Sequence, residues 1–487
     1  MDPKLIYTNE YNLIIVGAGS AGIACAIRAA ECGKRVLVIE KETVVGGTLH
    51  VTAGHLSGAG TSRQQAVGIA DTPDAHLADI ARISRNTMHP QIAEKAVALA
   101  AATIDWLEDK NYPFHERVPM IIHGHEPYQI PRTYFGKDDI QPGMKRPGQT
   151  VLRTLLPFWN KYLAAGLIDC RTEHRLVGMR VEGNQLQVLE LNHQGNSIHL
   201  MVNQKPVVLT TGGYAANPDF FQQVSPGAPR LISTARASST GDGIQLAMQT
   251  GAGFSGGEKH VSTLGALELE PGSGRADFWS AWARVSNGKD RKQREIYVNE
   301  YGHRFMNEYD LGADERERLV LAQPNRRFWI IFDEIALHDG DSLIPQWSAA
   351  EIQAASKLGK AVWQAASIAE LAQRIGLPAQ ALEETVAQYN HAVAVQQDTQ
   401  FGRTYLAHSI RESPFYAVLV YAYSLISFGG ITVDENLRVL KKDGSGFDNL
   451  YAAGEILGAA ATSGHAFCGG MLLTPALSFG KWLGEQL

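Results

Sequence analysis

Between residues 123 and 150 the chain runs HGHEPYQIPRTYFGKDDIQPGMKRPGQT, a polar stretch that gathers His123, His125, Glu126, Tyr128, Arg132 and Tyr134. Imidazoles, a carboxylate, phenols and a guanidinium at this density can bind an anion and move a proton, and long ordered loops in compact domains usually carry function. A second group of residues points to phosphate binding. Gly17, Gly19 and Gly22 form G-x-G-x-x-G, with Ser20 and Ala21 between the last two, where the apolar run Leu13 to Val16 must turn into a helix. The first glycine permits the tight turn, the second lets backbone approach a pyrophosphate, and the third lets the helix pack closely on the strand. The helix N-terminus, with its unpaired N–H groups and its dipole, then faces the anion. Glu40 ends the next apolar strand about twenty residues on, where an acid can accept hydrogen bonds from an adenosine ribose. Strand, helix, second strand and acid fall in register over residues 12–41, so this stretch reads as a dinucleotide-binding βαβ unit.

Positioning such groups takes a scaffold, and 487 residues exceed what one core usually supports, so at least two domains are expected. Hydrophobic residues at 45% and charged residues at 19% are globular proportions, and 48 glycines suit backbone lying against a large ligand. A net charge of −6 gives no electrostatic case for nucleic acid or an anionic membrane. Cys25, Cys32, Cys170 and Cys468 have no metal-ligand spacing, which argues against zinc or iron–sulfur sites; no metal is expected. No signal-peptide pattern or bilayer-length apolar run is visible, so a cytoplasmic setting is expected.

After Glu40, small residues dominate from Ala53 to Thr61. Helical periodicity follows over 73–110 (Ile80, Ile83, Ile92, Val97, Leu99, Ile104, Leu107) and predicts paired helices. Residues 167–208 alternate and turn like a small antiparallel meander, ending in VVLTTGG. Residues 236–253 offer another loop-to-helix start, around Gly241-Asp242-Gly243. From about 254 to 406 charge and aromatics increase, and this stretch reads as a second domain inserted into the first. Residues 407–487 bring the chain back through LYAAGE and Gly469-Gly470 to a closing helix.

Taken in order, VGAGSAGIACAIRAAECGKRVLVIEK, GGTLHVTAGHLSGAG, VVLTTGGYAANP, TGDGIQLAMQTGAG, YVNEYGHRFMNE, GGITVDENLRVL, LYAAGEILG and CGGMLLTPALSFGKWLGE resemble the flavoproteins that include soluble fumarate reductases and 3-ketosteroid dehydrogenases. The resemblance covers nearly the whole chain. It implies an α/β fold: a doubly wound, Rossmann-like FAD-binding domain from residues 1–253 and 407–487, with an inserted α+β cap, 254–406, closing over the flavin. It further implies FAD contacts at Gly17, Gly19, Gly22, Glu40, Lys41, Gly47, Thr48, Gly54, Gly212, Asp242, Gly454 and Glu455. Leu472 and Leu473 would start a helix aimed at the flavin's pyrimidine ring. Covalent flavin belongs to the membrane-complex branch, whose linking histidine would fall nearer Thr48 than His50. Non-covalent FAD is therefore expected, with His50 a packing or hydrogen-bonding residue.

The departures bear on function. Where fumarate reductases carry a substrate-gripping arginine, this chain has Phe467, and after F-M-N-E the expected acid is displaced by Tyr309-Asp310-Leu311-Gly312, with Arg316 and Arg318 beyond. Losing one partner of a buried carboxylate–arginine contact costs about 2–5 kcal/mol, which disfavours a fumarate-like substrate. Ketosteroid dehydrogenases have G-H-x-Y-P-G before the last helix; here it is Gly464-His465-Ala466-Phe467-Cys468-Gly469, with phenylalanine in place of the carbonyl-polarising tyrosine. The resulting expectation is a flavin-dependent desaturase that introduces C=C beside the ketone of a cyclic substrate, steroid-like or a smaller ring bearing a carboxylate, with oxygen or another electron acceptor. Tyr134 would be the base, Tyr309 its partner or replacement, and Arg132 the field or carboxylate anchor. Gly469 and Gly470 would supply the oxyanion contact, Phe467 an apolar wall, and His465 either a site group or a satisfied loop histidine. The alternatives are an ene-reductase of an unsaturated acid, with Arg316 or Arg284 as acid, and a flavin subunit of an electron-transfer assembly.

Overall fold

In a computed structural model, the structure describes residues 3–122, 125–139, 149–225, 232–339 and 341–487. His123 lies outside the described residues. The strand Leu13–Val16 is buried at all four positions, as is Val36–Ile39, because parallel strands sandwiched between helices have no solvent face. Five strands run parallel in the order Gly446–Ala452, Val207–Leu209, Leu13–Val16, Val36–Ile39 and Ile168–Arg171, and Arg438–Leu440 closes one edge antiparallel. This is the doubly wound sheet that the resemblance implies, and the strands from the two ends of the chain sit in one sheet.

The helix Ser20–Glu31 packs on the helix Leu473–Gln486 through glycine. A Cβ on Gly480 would overlap the carbonyl oxygen of Ala21, and one on Gly484 that of Cys25. The periodic segment 73–110 forms helices Pro73–Ser84 and Pro90–Asp109, each opened by a proline in its first turn, where no N–H is missed. Residues 167–208 split rather than form one meander. Arg175–Glu182, Gln185–His193 and Asn196–Met201 are an antiparallel sheet, joined in parallel by Lys4–Tyr7, while the apolar ends of the segment go to the main sheet.

The insertion has its own sheet around the long strand Phe415–Ser424, which pairs with Arg327–Asp333, Val362–Ala365, Thr263–Ala266 and Ile232–Ser233. The boundary expected at 406 therefore cuts off this sheet's central strand, and the one at 253 its edge. Strand pairing does not move the boundaries as a block, because Phe254–Ser255 pairs with Gly430–Ile431 and Ala252 bridges to Lys441. The composition shift missed the central strand because Phe415–Ser424 is apolar on both faces, like a strand of the first domain. Beside this sheet the residues of Y-G-H-R-F-M-N-E form a buried ion cluster. Arg304 spans Glu308 at 2.7 and 2.8 Å and Asp398 at 2.9 Å, and Arg403 lies 3.5 Å from Glu308. Among the described residues, no helix is long and apolar enough to cross a membrane.

Candidate active site

The glycine turn is built by contacts that exclude side chains on one face and leave the other open. Gly17 has φ +103°, and its N–H donates to Ile39 O at 2.7 Å. A Cβ at Gly17 would overlap Thr210 O, and one at Gly22 would overlap Gly17 O and lie 2.8 Å from Thr210 Oγ1. Thr210 fastens the turn by donating its hydroxyl to Gly17 O at 2.6 Å and Val16 O at 3.1 Å. A Cβ at Gly19 would meet nothing within 4 Å, and the helix it caps has no side-chain cap, so its first N–H groups face a cleft of about 260 Å³. That is an anion cradle. Gly17, Gly19, Ser20 and Ala21 line this cleft, while Gly22 packs behind it.

The remaining expected cofactor positions come from distant segments to the same cleft. Glu40 lines it, anchored by N–H donors from Ala18 at 2.7 Å and Glu42 at 2.8 Å. Lys41 and Asp242 line it as a pair 3.0 Å apart, with Thr240 and Arg175 also on Asp242. Burial opposes the Asp242 charge, but these partners outweigh it and hold the carboxyl below its ordinary value. Gly47, Thr48 and Gly54 line the cleft, as does Gly212, where a Cβ would again meet nothing. Gly454 and Glu455 follow the strand Gly446–Ala452; Glu455 accepts the Ser427 N–H at 2.9 Å, and desolvation pushes its acid up. Leu472 and Leu473 line the cleft at the start of the closing helix, a second N-terminus without a side-chain cap. His50 is turned away, its Nε2–H donating to Val45 O at 2.9 Å. Two open glycines, two uncapped helix starts and an anchored acid fit a dinucleotide with a ring system at its far end, and hence FAD.

The expected proton chemistry is not built where the sequence suggested. Tyr134 is fully enclosed, paired through its strand to Leu56–Ser57, and shares a 2.6 Å hydrogen bond with Thr61 Oγ1. Burial pushes its phenol well above the ordinary value, with Asp71 and Asp105 adding to the shift, and it does not line the cleft, so it is not placed as the base. Arg132 is equally buried. Its Nε and Nη2 donate to Asp71 at 3.0 and 2.8 Å, and its Nη1 donates to Asp79 at 2.9 Å, so no fork remains for a substrate carboxylate. Sequence proximity misled here, because two acids from 71–79 return to claim the guanidinium.

Tyr309 stacks on Tyr405 at 4.9 Å, away from the cleft. Arg316 is buried against Val285 O and Leu311 O; neither it nor Arg284 lines the cleft. His465 does not line the cleft, and its backbone N–H donates to Thr87 Oγ1 at 2.7 Å. Gly469 spends its carbonyl on Tyr128 Oη–H at 2.7 Å, whereas Gly470, at φ +77°, lines the cleft. Phe467 lines the cleft, as do Leu425, Ile426 and Met471.

Two features were not read from the sequence. His55, beside Gly54, lines the cleft, and desolvation pushes its imidazole down to about 4, so at neutral pH it is an uncharged hydrogen-bonding group. From the insertion, Trp279 Nε1–H reaches Val51 O on the wall at 3.2 Å. A histidine next to a wall glycine was the available signal for the first; nothing local marks the second.

A family profile described as "FAD binding domain" matches residues 12–472. The chain is 28% identical over 485 residues to an NADH:fumarate oxidoreductase of Klebsiella pneumoniae (strain 342), covering 98% of this chain but only 47% of that protein. It is 26% identical over 468 residues to a vinyl phenol reductase of Lactiplantibacillus plantarum, covering 92% of this chain and 90% of that one. Among solved structures, 3-ketosteroid Δ1-dehydrogenase from Sterolibacterium denitrificans superposes with a TM-score of 0.77 at 20% identity, covering 98% and 99% of the two chains.

Proposed function

The chain belongs to the FAD binding domain family, an FAD-dependent oxidoreductase acting on carbon–carbon bonds, and from that premise we propose that its substrate is a neutral, largely apolar ring compound. In it a CH–CH unit beside a ketone or an aromatic ring is interconverted with C=C. The observation carrying this reading is that, among the described residues, no arginine lines the cleft. Lys41, its one lysine, is engaged by Asp242. Among the described residues, such a site offers a carboxylate no free cation, and burying it unpaired would cost several kcal/mol. Leu425, Ile426 and Phe467 instead offer a surface for an apolar ring. The carboxylated-ring version of the substrate loses its support with Arg132 engaged by Asp71 and Asp79.

Bound FAD supplies the hydride donor or acceptor. The protein's part is to hold the pyrophosphate at Gly19, exclude water with the wall around Phe467, and polarise the reacting system with neutral donors such as His55. Reduction is the favoured direction, given the vinyl phenol reductase that aligns over nearly its full length.

The test uses FAD-loaded protein, reduced with dithionite under anaerobic conditions and mixed with 4-vinylphenol, cyclohex-2-enone or fumarate. Reoxidation of the flavin by the neutral compounds and not by fumarate is expected; fumarate reacting as fast as either would overturn the reading. Phe467→Arg should raise the response to fumarate and lower that to 4-vinylphenol.

A further inference from the structure

One peptide of the cleft wall is held from behind. Gly470 is buried and lines the cleft, and among the described residues its N–H donates to no backbone or side-chain acceptor. A buried N–H without a partner is rare and costly, so on the wall of a cleft it points to a ligand. Its direction follows from the peptide it belongs to. The Gly469–Gly470 bond is trans, and in a planar trans peptide C=O and N–H point opposite ways. Gly469 O accepts the Tyr128 Oη–H at 2.7 Å, and Tyr128 is buried outside the cleft. The Gly470 N–H is therefore turned the other way, towards the cleft.

The rest of the turn is fixed as well. Gly470 O accepts the Thr474 N–H at 3.1 Å, Thr474 Oγ1 accepts the Ser57 N–H at 2.8 Å, and a Cβ on Gly470 would overlap Leu56 and Ser57. Behind Tyr128 the donors continue. His76 is fully enclosed, edge-on to the Tyr128 ring at 5.2 Å, with Nε2 2.9 Å from Ser57 Oγ. Burial, with Arg132 adding to it, pushes this imidazole well below its ordinary value, so it is neutral. Its Nδ1 has no partner, which assigns the hydrogen to Nε2 and leaves the Ser57 hydroxyl free to donate onward. Burial and Cys468 push the Tyr128 phenol well above its ordinary value, opposed by a hydrogen bond from Ser57. His76, Ser57 and Tyr128 thus line up as successive donors ending on the Gly469 carbonyl. Hydrogen bonds in such a chain polarise one another, and a polarised peptide carbonyl makes its own N–H a stronger donor.

We propose that Tyr128, backed by Ser57 and His76, is a positioning residue that presents the Gly470 N–H to an oxygen gaining negative charge in the cleft. Two groups carry such an oxygen, the substrate's carbonyl and the pyrimidine ring of reduced FAD. The first source rests on the ketone reading above; the second needs only bound flavin.

The test compares wild type, Tyr128→Phe and Ser57→Ala as FAD-loaded proteins, with two readouts. The first is the reduction potential of the flavin, measured by equilibration with a redox dye and no substrate. If the oxygen is the flavin's, Tyr128→Phe should weaken reduction about 10–100-fold, a potential about 30–60 mV lower. The second is anaerobic reoxidation of the reduced flavin by saturating cyclohex-2-enone. If the oxygen is the substrate's, the potential should stay and this rate should fall at least about tenfold, towards the roughly 10²–10³-fold that removal of one such donor costs. Ser57→Ala keeps the phenol and should move the same readout in the same direction, by less. A wild-type potential together with a wild-type rate in Tyr128→Phe would overturn the proposal, and so would lower melting or weaker FAD retention with neither readout changed, which marks a purely structural role. No shift in Ser57→Ala would remove Ser57 and His76 from the chain. If wild type reacts with fumarate and not with cyclohex-2-enone, the substrate reading fails; the potential still decides on the flavin source, and the rates are then compared with fumarate.

Discussion

Replacing Arg132 by alanine separates the role the sequence suggests from the one the structure assigns. The guanidinium holds two carboxylates whose side chains are 0% and 3% exposed, Asp71 and Asp79, with three charge-assisted bonds of 2.8–3.0 Å. Removing it leaves the buried Asp71 without a cation, while Asp79 keeps Arg82 at 2.8 Å, and breaking a buried ion pair this way costs about 3–5 kcal/mol. At about 2–4 °C per kcal/mol for a cooperative unit of some 150–250 residues, the unfolding midpoint should drop by about 6–20 °C, at the lower end for a larger unit. The assay is thermal unfolding of FAD-loaded protein, read by released flavin fluorescence and by circular dichroism. KM ratios for a neutral and a carboxylated substrate measured in parallel should stay equal. Adding Asp71→Asn should recover part of the loss, because the destabilisation comes from that stranded charge. A variant that melts like wild type yet binds the carboxylated substrate selectively worse would refute the reasoning and restore Arg132 as an anchor.

Gly22→Ala should abolish FAD retention on a desalting column while most of the circular dichroism survives, because the added methyl overlaps Gly17 O and reshapes the cradle; full retention would count against the fit. Trichloroacetic acid should release all the flavin into the supernatant, and His50→Ala should do the same, since the His50 ring nitrogen is bonded to Val45 O; pelleted flavin would indicate a covalent link. In the insertion, burial opposes the Glu308 charge but Arg304 and Arg403 outweigh it, so its carboxyl lies below the usual 4.5. The stabilisation is therefore present above that value and lost as pH falls through the depressed one. Acid melts should show the wild-type insertion weakening in that window, and Glu308→Gln should be less stable at pH 7 and flatter across the acid range.

How much was legible follows from the distance over which each feature is determined. The dinucleotide cradle is local: strand, turn glycines and helix are contiguous from Leu13 to Glu31, and each glycine meets the steric demand its spacing implies. The cofactor positions from Gly47 to Leu473 came through resemblance and reached the same cleft because a shared fold carries backbone with it. Tyr134 and Arg132 were misread because their partners, Thr61, Asp71 and Asp79, are distant enough in sequence that nothing around residue 132 reveals them. The insertion's ends were invisible for the opposite reason, since an apolar strand such as Phe415–Ser424 has the same composition in either domain. Tyr128 looked like one aromatic among several in its loop, and only its bond to Gly469 distinguishes it.

The seam of glycines between the helices Ser20–Glu31 and Leu473–Gln486 also sets an order of assembly during synthesis. Residues 232–424, which hold the insertion's whole sheet, emerge from the ribosome as one block and can pair its strands as soon as Ser424 is clear. The nucleotide cradle has no such independence, because its first helix packs against the closing helix, closely enough that a Cβ on Gly480 or Gly484 would overlap its backbone. The half-site made first thus waits, with apolar helix surface uncovered, for residues made more than 450 positions later. FAD captured in that interval would find Gly19 and Glu40 but not the closing helix, so firm loading belongs after that helix has been made. A shortage of flavin should then appear as accumulation of chains with a finished insertion and an open first domain.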